Sequence, residues 1–106
     1  MAHWAFVYEH PGSDPVRDRH RLGGGGQDTE LIPVPTASDA AEIAADLVRE
    51  GVSLIELCGG FDTATVAAVV AAVDGRAAVG HVTYSVESLA AGARYAEEAA
   101  GGGASR

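Results

Sequence analysis

The sequence predicts an α/β fold: a small, four-stranded, mainly parallel sheet flanked by three helices. Three observations carry this. Stretches rich in aromatic and β-branched residues alternate with stretches whose apolar residues recur at helical spacing, the pattern of strand–helix–strand crossovers. "VSLIELCGG", residues 52–60, is nearly continuous in apolar residues, as a central parallel strand covered on both faces would be. Finally, 106 residues suit one domain that removes roughly two-thirds of its unfolded surface from water, so residues 1–100 are read as a single α/β domain.

The elements follow in order. "HWAFVYE", residues 3–9, is an aromatic strand with Trp4, Phe6 and Tyr8 on one face and Ala5, Val7 and Glu9 on the other, ended by the turn cluster "HPGSDP". Residues 13–28 are polar and include the run Gly23 to Gly26, so a flexible loop is expected, with room for a short helix after Asp14 and Pro15. "TELIPVP", residues 29–35, reads as extended, but Pro33 and Pro35 lack a backbone donor, which places this second strand at a sheet edge. "ASDAAEIAADLVREG" sets Ala40, Ile43, Ala44, Leu47 and Val48 on one helix face, with Ser38 as cap and Gly51 as terminator. After the third strand, residues 62–74 form a helix with Asp62 as N-cap and Val66, Val69, Val70 and Val73 as its apolar stripe. "AAVGHVTY" is the fourth strand; a third helix starts at Ser85 with Val86, Leu89 and Ala93 inward, and residues 101–106 are expected to be a disordered tail. With the proline-bearing strand at the edge, the spatial order is 2-1-3-4. The alternative is an α+β arrangement with strand one antiparallel.

Composition narrows function mainly by exclusion. Seven Lys+Arg against fifteen Asp+Glu give a net charge of -8, which repels nucleic acid and anionic membrane surfaces. All the cations are arginines, so Schiff-base chemistry, a pyridoxal-phosphate anchor and a P-loop lysine are ruled out. One cysteine forms no internal disulfide, and no leader-like or membrane-spanning stretch is visible, so a cytoplasmic protein is expected. Aromatics are only 6%, which implies a core of small side chains and a gain from forming a homodimer or higher homo-oligomer.

Open parallel sheets bind ligands beyond the carboxyl ends of the strands, where successive connections leave towards opposite faces. In the 2-1-3-4 order that point lies between strands one and three. It would receive Tyr8, Glu9 and His10 from one side and Glu56, Cys58, Gly59, Gly60 and Phe61 from the other, with His81, Thr83 and Tyr84 alongside. Glu56 interrupts the apolar "LIELC" and is expected to be a buried carboxylate, either a tuned acid/base or the partner of an arginine such as Arg76. Cys58 precedes a Gly-Gly turn into a helix, where a thiolate is stabilised, yet a cysteine on a buried strand also serves as an inert small hydrophobe. His81 is a partner base or a satisfied core histidine, and His10 lies exposed near the crevice. His3 and His20 read as surface residues. None of these groups has the close spacing of a dedicated metal site, and neither metal nor organic cofactor is expected.

"EGVSLIELCGGFDTATVAAVV", preceded by "WAFVYEHPGSDP" and followed by "AAVGHVTY", resembles a family of small, uncharacterised bacterial proteins with a "GV.LIELCGGF" element. The resemblance runs from Trp4 to Tyr84. It implies one α/β domain, supplies no activity, and marks "RLGGGGQD" as a local departure. The residues themselves suggest a cofactor-independent enzyme doing acid/base chemistry, of isomerase, lyase or cyclase type, on a small carbonyl-bearing molecule. Glu56, Cys58, His81 and His10 would be catalytic, with Gly59 and Gly60 supplying donors for developing negative charge. The competing readings are a noncatalytic small-ligand module and a structural homo-oligomer with no ligand.

Overall fold

Ala5 and Val7 are fully buried, while Trp4, Phe6 and Tyr8, which alternate with them, are only half-buried. In a computed structural model that describes residues 1–104, this alternation separates a covered from an open face of a five-stranded sheet. The strands are β1 (Ala2–Glu9), β2 (His20–Leu22), β3 (Gln27–Val34), β4 (Leu54–Leu57) and β5 (Ala78–His81), in the order β2-β3-β1-β4-β5. All neighbours are parallel except β2, which is antiparallel to β3. The helices are α1 (Ala40–Arg49), α2 (Thr63–Val73) and α3 (Leu89–Ala104), with short 3-10 turns at Ala37–Asp39 and Val86–Ser88. Of the tail expected over residues 101–106, the first four continue α3, and residues 105 and 106 lie outside the described residues. Among the described residues, no helix is long and apolar enough to cross a membrane.

The fifth strand corrects the expectation of four. It comes from residues 13–28, read from sequence as a flexible loop or short helix. Asp14 closes a local turn there: its carboxylate accepts from the N–H groups of Val16 at 2.8 Å and Arg17 at 2.9 Å. These bonds hold the Asp14 carboxyl below its ordinary pKa, and Arg17 does the same for Asp18. The glycine run is the β2–β3 hairpin turn, in which Gly24, Gly25 and Gly26 take φ of 113°, 63° and 75°, a region closed to most L-residues.

β3 is therefore not the edge strand, and its prolines are accommodated differently. The Val34 carbonyl accepts from the His10 N–H at 2.8 Å, so Val34 aims its peptide groups toward β1. Pro33, one residue earlier, turns its nitrogen to the other side, and there β2 pairing has already ended at Leu31. Because β1 is parallel to both β3 and β4, the α+β alternative does not hold.

Both crossover helices lie on one face. The buried core joins Ala5 and Val7 of β1, Ile32 and Val34 of β3, and Ile55 and Leu57 of β4 to Ala40, Ala44 and Leu47 of α1 and Val69 and Val73 of α2. Topology explains this. The connections β3–α1–β4 and β4–α2–β5 step across the sheet in the same direction, and right-handed crossovers that step the same way cover the same face. The β1–β2 link cannot cover the other face: β2 is antiparallel to β3, so that link only rounds the end of β3. β4 consequently alternates between exposed and buried residues and is not covered on both sides as its composition suggested.

α3 does not supply the missing cover. Its substantial contact within the chain is with the Val86–Ser88 turn, and from Leu89 to Gly101 only Gly92 is even half-buried. Val86 and Leu89, expected to face inward with Ala93, are 78% and 60% exposed. Two other helix ends follow the sequence more closely. Asp62 accepts from the Thr65 N–H at 2.8 Å as N-cap of α2, which holds its carboxyl below the ordinary range. Arg76 donates to the Val73 and Ala72 carbonyls at 3.1 and 3.3 Å, closing the other end.

Candidate functional site

Glu56 is exposed, which overturns the expectation of a buried carboxylate. It lies on the open face of β4, paired in register between Phe6 and Gly80. Gly80 leaves room beside it: a Cβ there would lie 3.7 Å from Glu56 Cγ. Arg76 is occupied by the α2 carbonyls, so it is not the partner of Glu56.

The open face around Glu56 is apolar. β1 contributes Trp4, Phe6 and Tyr8, the last two stacked with ring centroids 6.2 Å apart; Leu31 and Leu54 flank them. A shallow depression of about 480 Å³, within the range of small-molecule sites, is lined by Ala2, His3, Trp4, Gln27, Ser53, Leu54 and Glu56. The Trp4 indole N–H is shielded and has no acceptor among the described residues. An orphaned donor of this kind calls for an explanation.

The crevice expected at the carboxyl ends of β1 and β4 is not assembled. It required connections leaving to opposite faces, and both helical crossovers leave to the same one. Its members are dispersed. Tyr8 and His10 line a second depression of about 350 Å³ with Asp18, His20 and Pro33. Glu9 accepts from the Ala37 N–H at 3.0 Å and so supports the start of the Ala37–Asp39 turn. Cys58 is half-buried just beyond β4, where the Gly60 N–H donates to its Sγ at 3.5 Å. Phe61 is buried in the core. His81 ends β5 beside Leu57 on the covered face, with a shielded Nε2 that has no partner among the described residues. Thr83 and Tyr84 are exposed.

No hydrogen bond among the described residues joins any two of Glu56, Cys58, His81 and His10. Nor do the glycines form the expected donor site. Gly60 turns its N–H to Cys58, and Gly59 serves a close approach: a Cβ on it would fall 2.6 Å from the Tyr84 hydroxyl. The α2 N-terminus is already neutralised by the Asp62 carboxylate. Among the described residues, no three His, Cys, Asp or Glu side chains gather to hold a metal ion.

The buried carboxylate in this fold is Glu30, at 2% exposure on the covered face of β3. His3 Nε2 lies 2.5 Å from Glu30 Oε2, and Arg19 Nη1 donates to Glu30 Oε1 at 3.3 Å. Arg19 also reaches Glu50 at 3.3 Å and the Pro15 carbonyl at 3.1 Å, tying the β1–β2 link to the end of α1. His3 is thus a largely buried partner and not a surface residue. The sequence held a signal for this: Glu30 shares the alternate positions of Ile32 and Val34 and so points where they point. With both faces assumed covered, that parity carried no weight.

No curated protein and no solved structure matches the chain. One family does, over residues 2–97, nearly the whole of the described chain. The chain therefore belongs to that family, a family of unknown function (DUF6506).

Proposed function

We propose that the open face of the sheet binds a small carbonyl-bearing molecule, and that Glu56 performs acid/base chemistry on it without an organic cofactor. One observation carries the reading: Glu56 is the only Asp, Glu or Arg among the strand residues of a largely apolar, aromatic face. A carboxylate so placed would meet a ligand lying on this face and could take a proton from the carbon next to a bound carbonyl. The aromatic row offers flat apolar surface to the ligand, and the depression beside Trp4 offers volume. Cys58, His81 and His10 are given no part in this chemistry, because Cys58 packs against the core, His81 lies on the covered face and His10 lines the second depression.

A noncatalytic ligand-binding module is the second reading, favoured by the absence of any hydrogen-bonded partner on Glu56 among the described residues. One experiment separates the two. The full chain is incubated in D₂O with a panel of enolisable ketones, 2-oxo acids and lactones. Binding is followed by perturbation of the Glu56, Trp4 and Leu54 amide resonances, and exchange at the carbon next to the carbonyl by loss of its proton signal. Catalysis gives exchange that Glu56→Gln abolishes while binding persists. Binding without exchange establishes the module instead, and no perturbation of the open face by any compound refutes both.

A further inference from the structure

Two unpartnered surfaces of this chain fit each other. The first is the open face of the sheet, where Pro33 alone among the strand residues is buried. The second is α3 with the segment leading into it. Of the eleven large hydrophobic residues exposed among those described, three (Leu22, Leu31, Leu54) lie on the open face. Four more (Val82, Tyr84, Val86, Leu89) lie between β5 and the start of α3. Exposed apolar surface this concentrated marks an interaction site.

We propose that α3 of one chain docks on the open sheet face of a second copy, and that the exchange is reciprocal, giving a two-fold dimer. Several features commit the surface to this occupant. The line Leu89, Ala93, Ala96, Ala100 recurs at helical spacing and is small beyond its first residue, so it admits the large rings of Trp4, Phe6 and Tyr8 as a core does. Arg94 and Glu98 fall off that line, and Glu97 flanks it. The lengths correspond: sixteen residues of α3 span about 24 Å at the helical rise, and eight residues of β1 about 26 Å. Charge agrees as well. In a chain of net charge -8, Glu56 is the only Asp, Glu or Arg at the strand positions of this face, so the sheet surface that the helix would cover carries little of the chain's negative charge.

α3 makes no substantial contact with its own sheet, which leaves the open face to a second copy. The segment from Val82 to Ser88 is held in place. The Val82 N–H donates to the Leu57 carbonyl at 3.0 Å, Tyr84 rests on Gly59, and the Ser88 N–H donates to the Ser85 carbonyl at 2.9 Å. From this anchored exit α3 stands away from its own sheet, and the molecule extends 43 Å along its longest axis against 31 and 28 Å across. Reciprocal docking places two helices on two sheet faces; a stable complex buries roughly 1,200–2,000 Å² in total. The contact is isologous and closes on itself. The inference does not depend on the ligand proposed for Glu56.

The test is the mass of the full chain in solution by sedimentation equilibrium, from low to high micromolar concentration. A dimer is expected. Ala93→Glu/Ala96→Glu on α3 and, separately, Leu54→Glu on the sheet weaken it by at least about 100-fold in dissociation constant. All three positions are exposed, so circular dichroism of the variants stays that of the parent. A second measurement distinguishes exchange from fold-back: in a Cys58→Ser background, Ala96→Cys is combined in turn with Phe6→Cys, Leu31→Cys and Leu54→Cys and oxidised. Docking as proposed gives a disulfide between chains. A monomeric parent chain, a dimer indifferent to the α3 substitutions, a disulfide confined to one chain, or none from any of the three positions overturns it.

Discussion

Removing Arg19 tests whether the Glu30 network is a buried charge system or a decorative surface pair. Glu30 has a side chain 3% exposed, with Arg19 and His3 as its charged or polar partners. Two unit charges at 3.3 Å attract with a gross energy of about 5 kcal/mol at an effective dielectric constant near 20. Most of that offsets desolvation, so the observable is the penalty for leaving Glu30 without its cation. Breaking a buried pair costs about 3–5 kcal/mol, and with His3 still in place the expected cost of Arg19→Met is about 2–4 kcal/mol. The Arg19 bond to Glu50 adds little, because the Glu50 side chain is 49% exposed. Urea unfolding with a slope of roughly 2 kcal/mol per molar then moves the midpoint down by about 1–2 M. The double variant Arg19→Met/Glu30→Met removes the charge together with its partner and is expected to regain at least half of the loss. A single variant within about 0.5 kcal/mol of the parent, or a double variant no more stable than the single, refutes the reasoning.

Two other perturbations follow from single contacts. Asp62→Ala removes the α2 cap and lowers stability. Because the folded-state pKa of Asp62 lies below its ordinary value of 3.8, its contribution is present above that pH and is lost as pH falls through the folded value. The gap in thermal midpoint between parent and variant should therefore be constant near neutral pH and narrow below about pH 4. Gly59→Ala places a methyl 2.6 Å from the Tyr84 hydroxyl and 3.1 Å from the Val82 carbonyl oxygen, and is expected to cost about 1–2 kcal/mol in urea unfolding. Adding Tyr84→Ala should relieve most of that cost; equal costs with and without Tyr84 would show that the ring is not what Gly59 accommodates.

The sheet was legible where local chemistry decided it and illegible where topology did. The apolar periodicity of Ala40, Ala44 and Leu47, the cap at Asp62 and the aromatic strand over Trp4 to Tyr8 each express a physical preference confined to a few residues, and each is found in the fold. The order β3-β1-β4-β5 rested on placing the proline-bearing strand at the edge; it recurs, but with β2 added outside, so that strand is not the edge. β2 itself had no local signal. "HRL" has neither the length nor the alternation of a strand, and it extends only because β3 offers it an edge and the glycines a tight return. The second covered face was assumed from the apolar run "LIELC". What makes that run apolar is different on each side: Ile55 and Leu57 pack under α1 and α2, while Leu54 remains on the open face.

That difference relocates the chemistry. A buried carboxylate in a central strand was read at Glu56 because the strand was taken as covered on both sides, and parity then assigned Cys58 to the same site. With one face open, parity assigns Glu56 to a solvent-facing aromatic surface and assigns Glu30 to the core, so the two carboxylates exchange roles. Glu30 is fully engaged by His3 and Arg19 and has no free oxygen directed at a cavity, which makes it part of the scaffold. Glu56 has no protein partner among the described residues and lies on the face that both proposals would cover. If both hold, the helix docked over Trp4 and Leu54 and the small molecule seated beside them compete for one surface. Proton exchange on a bound ketone should then fall per unit of protein as the dimer forms. A rate strictly proportional to concentration throughout the range in which sedimentation shows dissociation would separate the two.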